Sequence, residues 1–178
     1  LAPVAKVLND LCGIERGYMT TVHAYTGDQP TQDTVHKDLY RARAAALSMI
    51  PTSTGAANAI GRVLPELKGK LHGSSIRVPT PNVSVIDLAV STSREVSIDE
   101  VNDAIRQTAA GAMSGVLAFT TEPLVSVDLN HRTESSIVAL PQTDVVDGRM
   151  VRVLAWYDNE WSFATRMADT AVAMAKLI

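Results

Sequence analysis

The 178-residue sequence contains a single cysteine, Cys12. An intrachain disulfide and a cysteine-cluster metal site are therefore excluded, and a reducing, cytoplasmic setting is the expectation. No apolar run approaches the roughly 20 residues a membrane helix needs, and the first ten residues lack the pattern of a signal peptide. Positive charge is not in surplus: 16 basic side chains face 19 acidic ones, for a net charge of −3. The basic residues are scattered, which leaves no polyphosphate footprint and argues against a nucleic-acid partner. There is no GxGxxG, P-loop, metal-ligand spacing or Ser-His-Asp order, and no repeat or low-complexity tract. What is present is an ordinary globular composition, 46% hydrophobic and 20% charged. A chain of this mass buries about 70% of its unfolded surface in one core without a disulfide or metal staple.

The chain opens on an amphipathic helix, with Val4, Val7, Leu8 and Leu11 at i, i+3, i+4 and i+7 and Pro3 in the first turn. With no initiator Met and no cap before that helix, it reads as a piece of a longer fold; the alternative is a small protein with trimmed numbering. Gly17 to Thr26 is rich in β-branched and aromatic residues and reads as a strand with His23 near its end. Residues 27 to 50 show little periodicity, the mark of a functional or interface loop. Pro51 to Gly55 read as turn chemistry leading into a helix over Ala56 to Leu64. Strands are expected at 75–78, 83–91, 116–119, 136–140, 143–146 and 150–157. Ser97-Ile98-Asp99-Glu100 is a capping-box pattern opening a helix that stops at Gly111. A last helix from about Glu160 carries an apolar stripe of Ala164, Met167, Ala168, Ala171, Met174, Ala175 and Ile178. Strands mostly return without an intervening helix. The expected class is α+β, with a mixed, largely antiparallel sheet and helices packed on one face.

Few residues stand out for chemistry. His23 on a strand is structural when taken alone, but Thr26 and Asp28 follow it at a strand-to-loop junction, where a scaffold presents side chains to a pocket. The Thr26 hydroxyl can donate to an anion, whereas Asp28 can only orient a donor such as an arginine. Thr54-Gly55 ahead of a helix offers a hydroxyl, an approachable amide and the helix dipole to a phosphate, or else is a simple N-cap. Arg77 interrupts an apolar β run and needs an acidic partner or an anionic ligand; Arg41 and Arg43 share that ambiguity. In Trp156-Tyr157-Asp158-Asn159-Glu160-Trp161, Asn159 can cap the last helix or present its amide to a ligand. Asp158 and Glu160 suit either acid/base work or helix-start electrostatics. Residue types and spacing alone reach a small anion pocket of unspecified purpose.

Taken together, these stretches resemble the catalytic domain of the phosphorylating glyceraldehyde-3-phosphate dehydrogenases. The resemblance runs through Leu1-Ala2-Pro3, Thr21 to Thr26, Asp38 to Arg43, Pro51 to Ala57, Arg77 to Ser84 and Trp156 to Trp161. In that family a Rossmann domain precedes this region, and the nucleophilic cysteine lies in a Ser-Cys-Thr-Thr-Asn-Cys stretch directly before Leu-Ala-Pro. Neither is in this sequence, and Cys12 falls in the first helix and does not match the nucleophile. The resemblance implies a glycolytic oxidoreductase. A thiolate attacks the aldehyde, the hemithioacetal gives hydride to the nicotinamide, and inorganic phosphate cleaves the thioester. The chain alone is then expected to be inactive.

His23 matches the family's base. Thr26 and Arg77 match the site for the substrate phosphate, with Asp28 holding Arg77. Thr54 and the Gly55 amide match the inorganic-phosphate site, with Arg41 a weaker addition, and Asn159 matches the residue that binds the nicotinamide carboxamide. The implied cofactor is NAD, although Thr34-Val35 stands where NAD-specific members usually carry Leu-Pro, which leaves NADP use open. Residues 27 to 47 resemble the family's S-shaped loop at a subunit interface, implying a homotetramer. Ser162 replaces a usual glycine after Trp161, and the Ser135-Ser136 segment lacks its usual acid. The competing expectation is a non-enzymatic assembly module that uses the same loop.

Overall fold

The computed structural model describes residues 1–177, the side chain of Asn58 aside. Helix α1 (Ala2–Cys12) buries Val4, Val7 and Leu8 of the expected face together with Ala5 and Cys12, while Leu11 is only partly buried. It ends at Gly13, whose φ of 66° is left-handed and where a Cβ would stand 2.3 Å from Ser93 Oγ. Only glycine meets both demands. Strand β1 (Ile14–Ala24) follows, and β2 (Ile50–Ser53), β3 (Leu71–Val78), β4 (Ser84–Thr92), β5 (Leu117–Thr120), β6 (Ser136–Ala139), β7 (Asp144–Val146) and β8 (Met150–Tyr157) complete one sheet. Its order is β2-β3-β1-β4-β8-β6-β5, with β7 also paired to β8. The β1–β3 and β5–β6 pairs are parallel and the others antiparallel. The α+β reading with a mixed, largely antiparallel sheet therefore holds.

Alternation along the strands sends Met19, Leu71, Leu88, Val151 and Val153 to one face, where they pack with Val4 and Leu8 of α1, Ile60 of α2 (Ala56–Val63) and Val101 and Ile105 of α3 (Ile98–Ala110). The expected capping box is formed in full: Ser97 accepts from the Glu100 amide, and Glu100 accepts from the Ser97 amide at 2.9 Å. Two local expectations change. The stretch read as a turn is strand β2, and it tolerates Pro51 because β2 is the edge of the sheet, where a missing N–H breaks no ladder on the outer side. The apolar stripe of α4 (Trp161–Ala175) is not buried: Ser162 is the buried residue there, while Met167 is 58% and Met174 62% exposed. Ile178 of that stripe lies outside the described residues.

The chain exposes 9979 Å², against about 8,400 Å² expected for a monomer of its mass. Exposed apolar side chains cluster in two segments. The 27–49 segment exposes Val35, Leu39, Leu47 and Met49, and α4 exposes Phe163, Met167 and Met174. The loop is nonetheless pinned by its own bonds, from Arg43 and the Ala44 amide to Asp33 and from the Thr34 amide to the Ala42 carbonyl.

Candidate functional site

The parallel register of β1 and β3 sets His23 beside Arg77 and, two residues back, Thr21 beside Ser75. The antiparallel register of β2 and β3 adds Thr52 opposite Ser75. Residues two apart on a strand share a face. Met19, Thr21, His23, Ser75 and Arg77 accordingly line one cleft of about 380 Å³, closed by Thr54 and Gly55 at the start of α2, by Tyr157 and by Leu1. Three dispersed stretches singled out in the sequence thus converge.

The His23 ring places Nδ1 2.7 Å from the Ala24 carbonyl. A carbonyl only accepts, so Nδ1 carries the hydrogen and Nε2 of the neutral ring is left as an acceptor. Burial, helped by the Arg77 charge, pushes this imidazole below the ordinary histidine pKa despite the Ala24 bond, so the neutral form prevails at pH 7. Tyr157 meets the ring edge-on at a centroid distance of 6.0 Å. Its hydroxyl pairs with Thr21 Oγ1 at 2.9 Å, and burial pushes the phenol's pKa up.

Arg77 Nη1 donates to the Thr26 hydroxyl at 2.7 Å and to the Ala24 carbonyl at 3.2 Å. Among the described residues no carboxylate forms an ion pair with it, and its Nε is buried without a partner. Asp28 was expected to hold Arg77 but binds Arg41 at 2.9 Å and accepts the Thr26 hydroxyl. In so tight a turn the carboxylate meets the hydroxyl two residues before it, and Thr26 relays between Arg77 and Asp28. The Thr26 hydroxyl, then the Arg77 and Arg41 charges, hold the Asp28 carboxyl below its usual range. Arg41 reaches this network through Asp28 and does not line the cleft. The Thr54 hydroxyl accepts the Ala56 amide at 3.2 Å, but Gly55 rather than Thr54 is the N-cap of α2, and Thr54 lines the cleft. Nothing stands within 4 Å of where a Cβ at Gly55 would be, which leaves that backbone open to approach.

Asn159 lies outside this lining. Its Oδ1 accepts the Ser84 hydroxyl at 2.8 Å, and Ser84 Oγ accepts the Ala24 amide at 3.0 Å. That fixes the amide orientation; among the described residues Nδ2 donates only to Glu160, at 3.3 Å. Val83, just before Ser84, has a φ of 65°, a strained setting for a β-branched residue. Asp158 is structural rather than an acid/base group. Fully buried, it accepts from the amides of Glu160, Trp161 and His131 and from Asn82. Burial alone would raise its carboxyl, but those donors outweigh it and hold the pKa below the usual range. Its stabilising contribution is present above the unfolded carboxylate pKa of about 4 and is lost as pH falls through the lower folded value. Asp158→Ala is expected to cost about 2 kcal/mol, a fall in Tm of about 4–8 °C at neutral pH. An unchanged calorimetric Tm would contradict this role.

Composition and spacing missed Tyr157, Ser75 and Thr21. Their signal is a polar residue at a core-facing position of a strand, visible only once the alternation is phased. Cys12 is buried, donates to the Leu8 carbonyl at 3.1 Å and has its thiol pKa raised by burial, the setting of an inert cysteine. Among the described residues no cluster of three His, Cys, Asp or Glu could hold a metal ion, and no helix is long and apolar enough to cross a membrane.

The fold and the cleft define an α+β domain with a concave site at the strand ends. A neutral imidazole there stands beside a guanidinium that no acid among the described residues neutralises, across from an open Thr-Gly helix start. Such a site has the chemistry to hold oxyanions and to accept a proton between them. The family model described as glyceraldehyde 3-phosphate dehydrogenase, C-terminal domain, matches residues 1–159, and the chain belongs to that family. It is 67% identical over 178 residues to the glyceraldehyde-3-phosphate dehydrogenase of Cereibacter sphaeroides, covering 100% of this chain and 54% of that protein. Over 177 residues it is 67% identical to that of Xanthobacter flavus, covering 99% and 53%. Over 175 residues it is 56% identical to that of Geobacillus stearothermophilus, covering 98% and 52%. The chain therefore spans about half the length of these relatives.

Proposed function

We propose that this chain is the catalytic half of a phosphorylating glyceraldehyde-3-phosphate dehydrogenase. The complete enzyme converts glyceraldehyde 3-phosphate and inorganic phosphate to 1,3-bisphosphoglycerate through a cysteine thioester, with NAD as cofactor and NADP as the alternative. The observation that carries the reading is Arg77, a half-buried guanidinium beside His23 whose Nε is buried without a partner and which no acid among the described residues neutralises. Its internal bonds go only to the neutral Thr26 hydroxyl and Ala24 carbonyl, so its charge stays available to an anion; an arginine neutralised by a carboxylate would have favoured the assembly-module reading.

In this mechanism Arg77 and Thr26 bind the phosphate of the substrate, with Asp28 and Arg41 steadying Thr26 from behind. Thr54 and the Gly55 amide take inorganic phosphate, helped by the α2 dipole. Leu1 lies in the cleft wall, so the cysteine that precedes Leu-Ala-Pro in the family would enter beside His23. His23 Nε2 takes the hydroxyl proton of the thiol adduct, a role worth about 10²–10⁴-fold in rate. A thiolate nearby would reverse the electrostatic bias that Arg77 and burial impose, and would favour the imidazolium that activates the thiol. The residues fit a nicotinamide cofactor, because Asn159 Nδ2 is an oriented donor held by Ser84 and suited to a carboxamide oxygen. The cofactor would supply the hydride acceptor.

The remaining half of the enzyme would be a Rossmann domain. The 27–47 loop, ordered yet apolar at its surface, would pack against another subunit in a cytoplasmic homotetramer. Joined to the amino-terminal half of its relatives, the chain is expected to form NADH only when both glyceraldehyde 3-phosphate and inorganic phosphate are present, and alone to show no turnover. A joined protein whose aldehyde oxidation ignores phosphate would overturn the proposal.

A further inference from the structure

Three buried polar atoms at and beside the cleft lack hydrogen-bond partners: Thr52 Oγ1, Ser75 Oγ and Arg77 Nε, of which the last two belong to residues that line it. Register explains their placement. Ser75 stands between Thr52 on β2 and Thr21 on β1, one side-chain step behind the Arg77–His23 pair. Thr21 is satisfied by Tyr157, whereas Ser75, only 4% exposed and lining the cleft, is not. An unmade hydrogen bond in a buried hydroxyl costs stability, and an alanine of nearly the same volume would avoid that cost. A serine kept at such a position is explained by a partner that arrives from the cleft.

We propose that Ser75 is a further ligand-binding residue, whose hydroxyl completes the shell of a tetrahedral oxyanion held by Arg77. This deepens the phosphate reading above and rests on it. A group that serves only the bound state has a two-sided signature. Removing it stabilises the ligand-free protein and weakens the ligand.

The test compares Ser75→Ala with the unaltered 178-residue chain, using calorimetry without anion and NMR titration of the His23 ring with inorganic phosphate and, separately, glycerol 3-phosphate. Ser75→Ala is expected to raise the anion-free Tm by about 2–4 °C and to weaken at least one of the two anions about tenfold. The anion affected tells whether the hydroxyl serves free phosphate or a phosphomonoester. Ser74→Ala, at the next residue and on the opposite sheet face, is the control and should leave both affinities unchanged. If Ser75→Ala leaves both affinities unchanged while Arg77→Leu abolishes binding, the Ser75 inference falls and the phosphate reading stands. If Arg77→Leu also leaves binding intact, the phosphate reading itself fails.

Discussion

In the complete enzyme, His23→Asn lowers turnover by about 10²–10⁴-fold, the range for loss of a positioned general base, while the KM for the cofactor stays within a few-fold. The asymmetry follows from placement. The asparagine amide can still donate to the Ala24 carbonyl, as Nδ1 does at 2.7 Å, so the strand end keeps its shape. What disappears is the acceptor nitrogen that faces the cleft beside Arg77 and Tyr157. Asn159, the proposed cofactor contact, is held by Ser84 and not by His23. Steady-state kinetics at pH 7–8 make the comparison, and an unchanged kcat would remove His23 from the mechanism.

Arg77→Leu carries the second large effect. Truncating a half-buried, hydrogen-bonded charge that meets a ligand charge costs about 2–5 kcal/mol, so kcat/KM for the phosphorylated aldehyde falls by about 30- to 5,000-fold. An unphosphorylated aldehyde such as glyceraldehyde never engages the guanidinium and loses less than about tenfold. The contrast between substrates separates binding from folding, because a general collapse of the strand ends, where Arg77 also bonds the Ala24 carbonyl, would depress both alike. Equal losses would refute the assignment.

Local signals in the sequence were reliable where physics is local. The spacing of Val4, Val7 and Leu8, the Ser97–Glu100 box and the position of His23 near a strand end all appear in the fold, because each depends on neighbours within a turn or two. The α+β class followed from strands that return without helices. The convergence of the site is a different kind of fact. His23 and Arg77 are 54 positions apart and meet through a parallel β1–β3 register, which no hydrophobic pattern specifies. The same limit explains Asp28. Sequence chemistry identified a carboxylate able to orient an arginine, but not that Arg41, brought back by the loop, would take it in place of Arg77.

Two further departures have simple causes. Pro51 reads as a turn residue because proline is excluded from central strands, yet β2 is an edge. The stripe on α4 has a clean helical period, but periodicity states only that a face is apolar. Within this chain Met167 and Met174 stay exposed, as does Val35 in the loop proposed to meet another subunit. Tyr157 stands in a motif crowded with more conspicuous groups and carries little signal of its own, although its parity along β8 with the buried Val153 and Ala155 points it inward.

The central claim is that one cleft binds two oxyanions with the His23 imidazole between them. Crystals of this chain soaked in selenate, a tetrahedral oxyanion located by its anomalous scattering, test it directly. The account predicts two peaks, one within hydrogen-bond distance of Arg77 and Thr26 and one at the Thr54 hydroxyl and Gly55 amide. A cleft free of selenate at saturating concentration, with Arg77 still bonded only to Thr26 and Ala24, would contradict it.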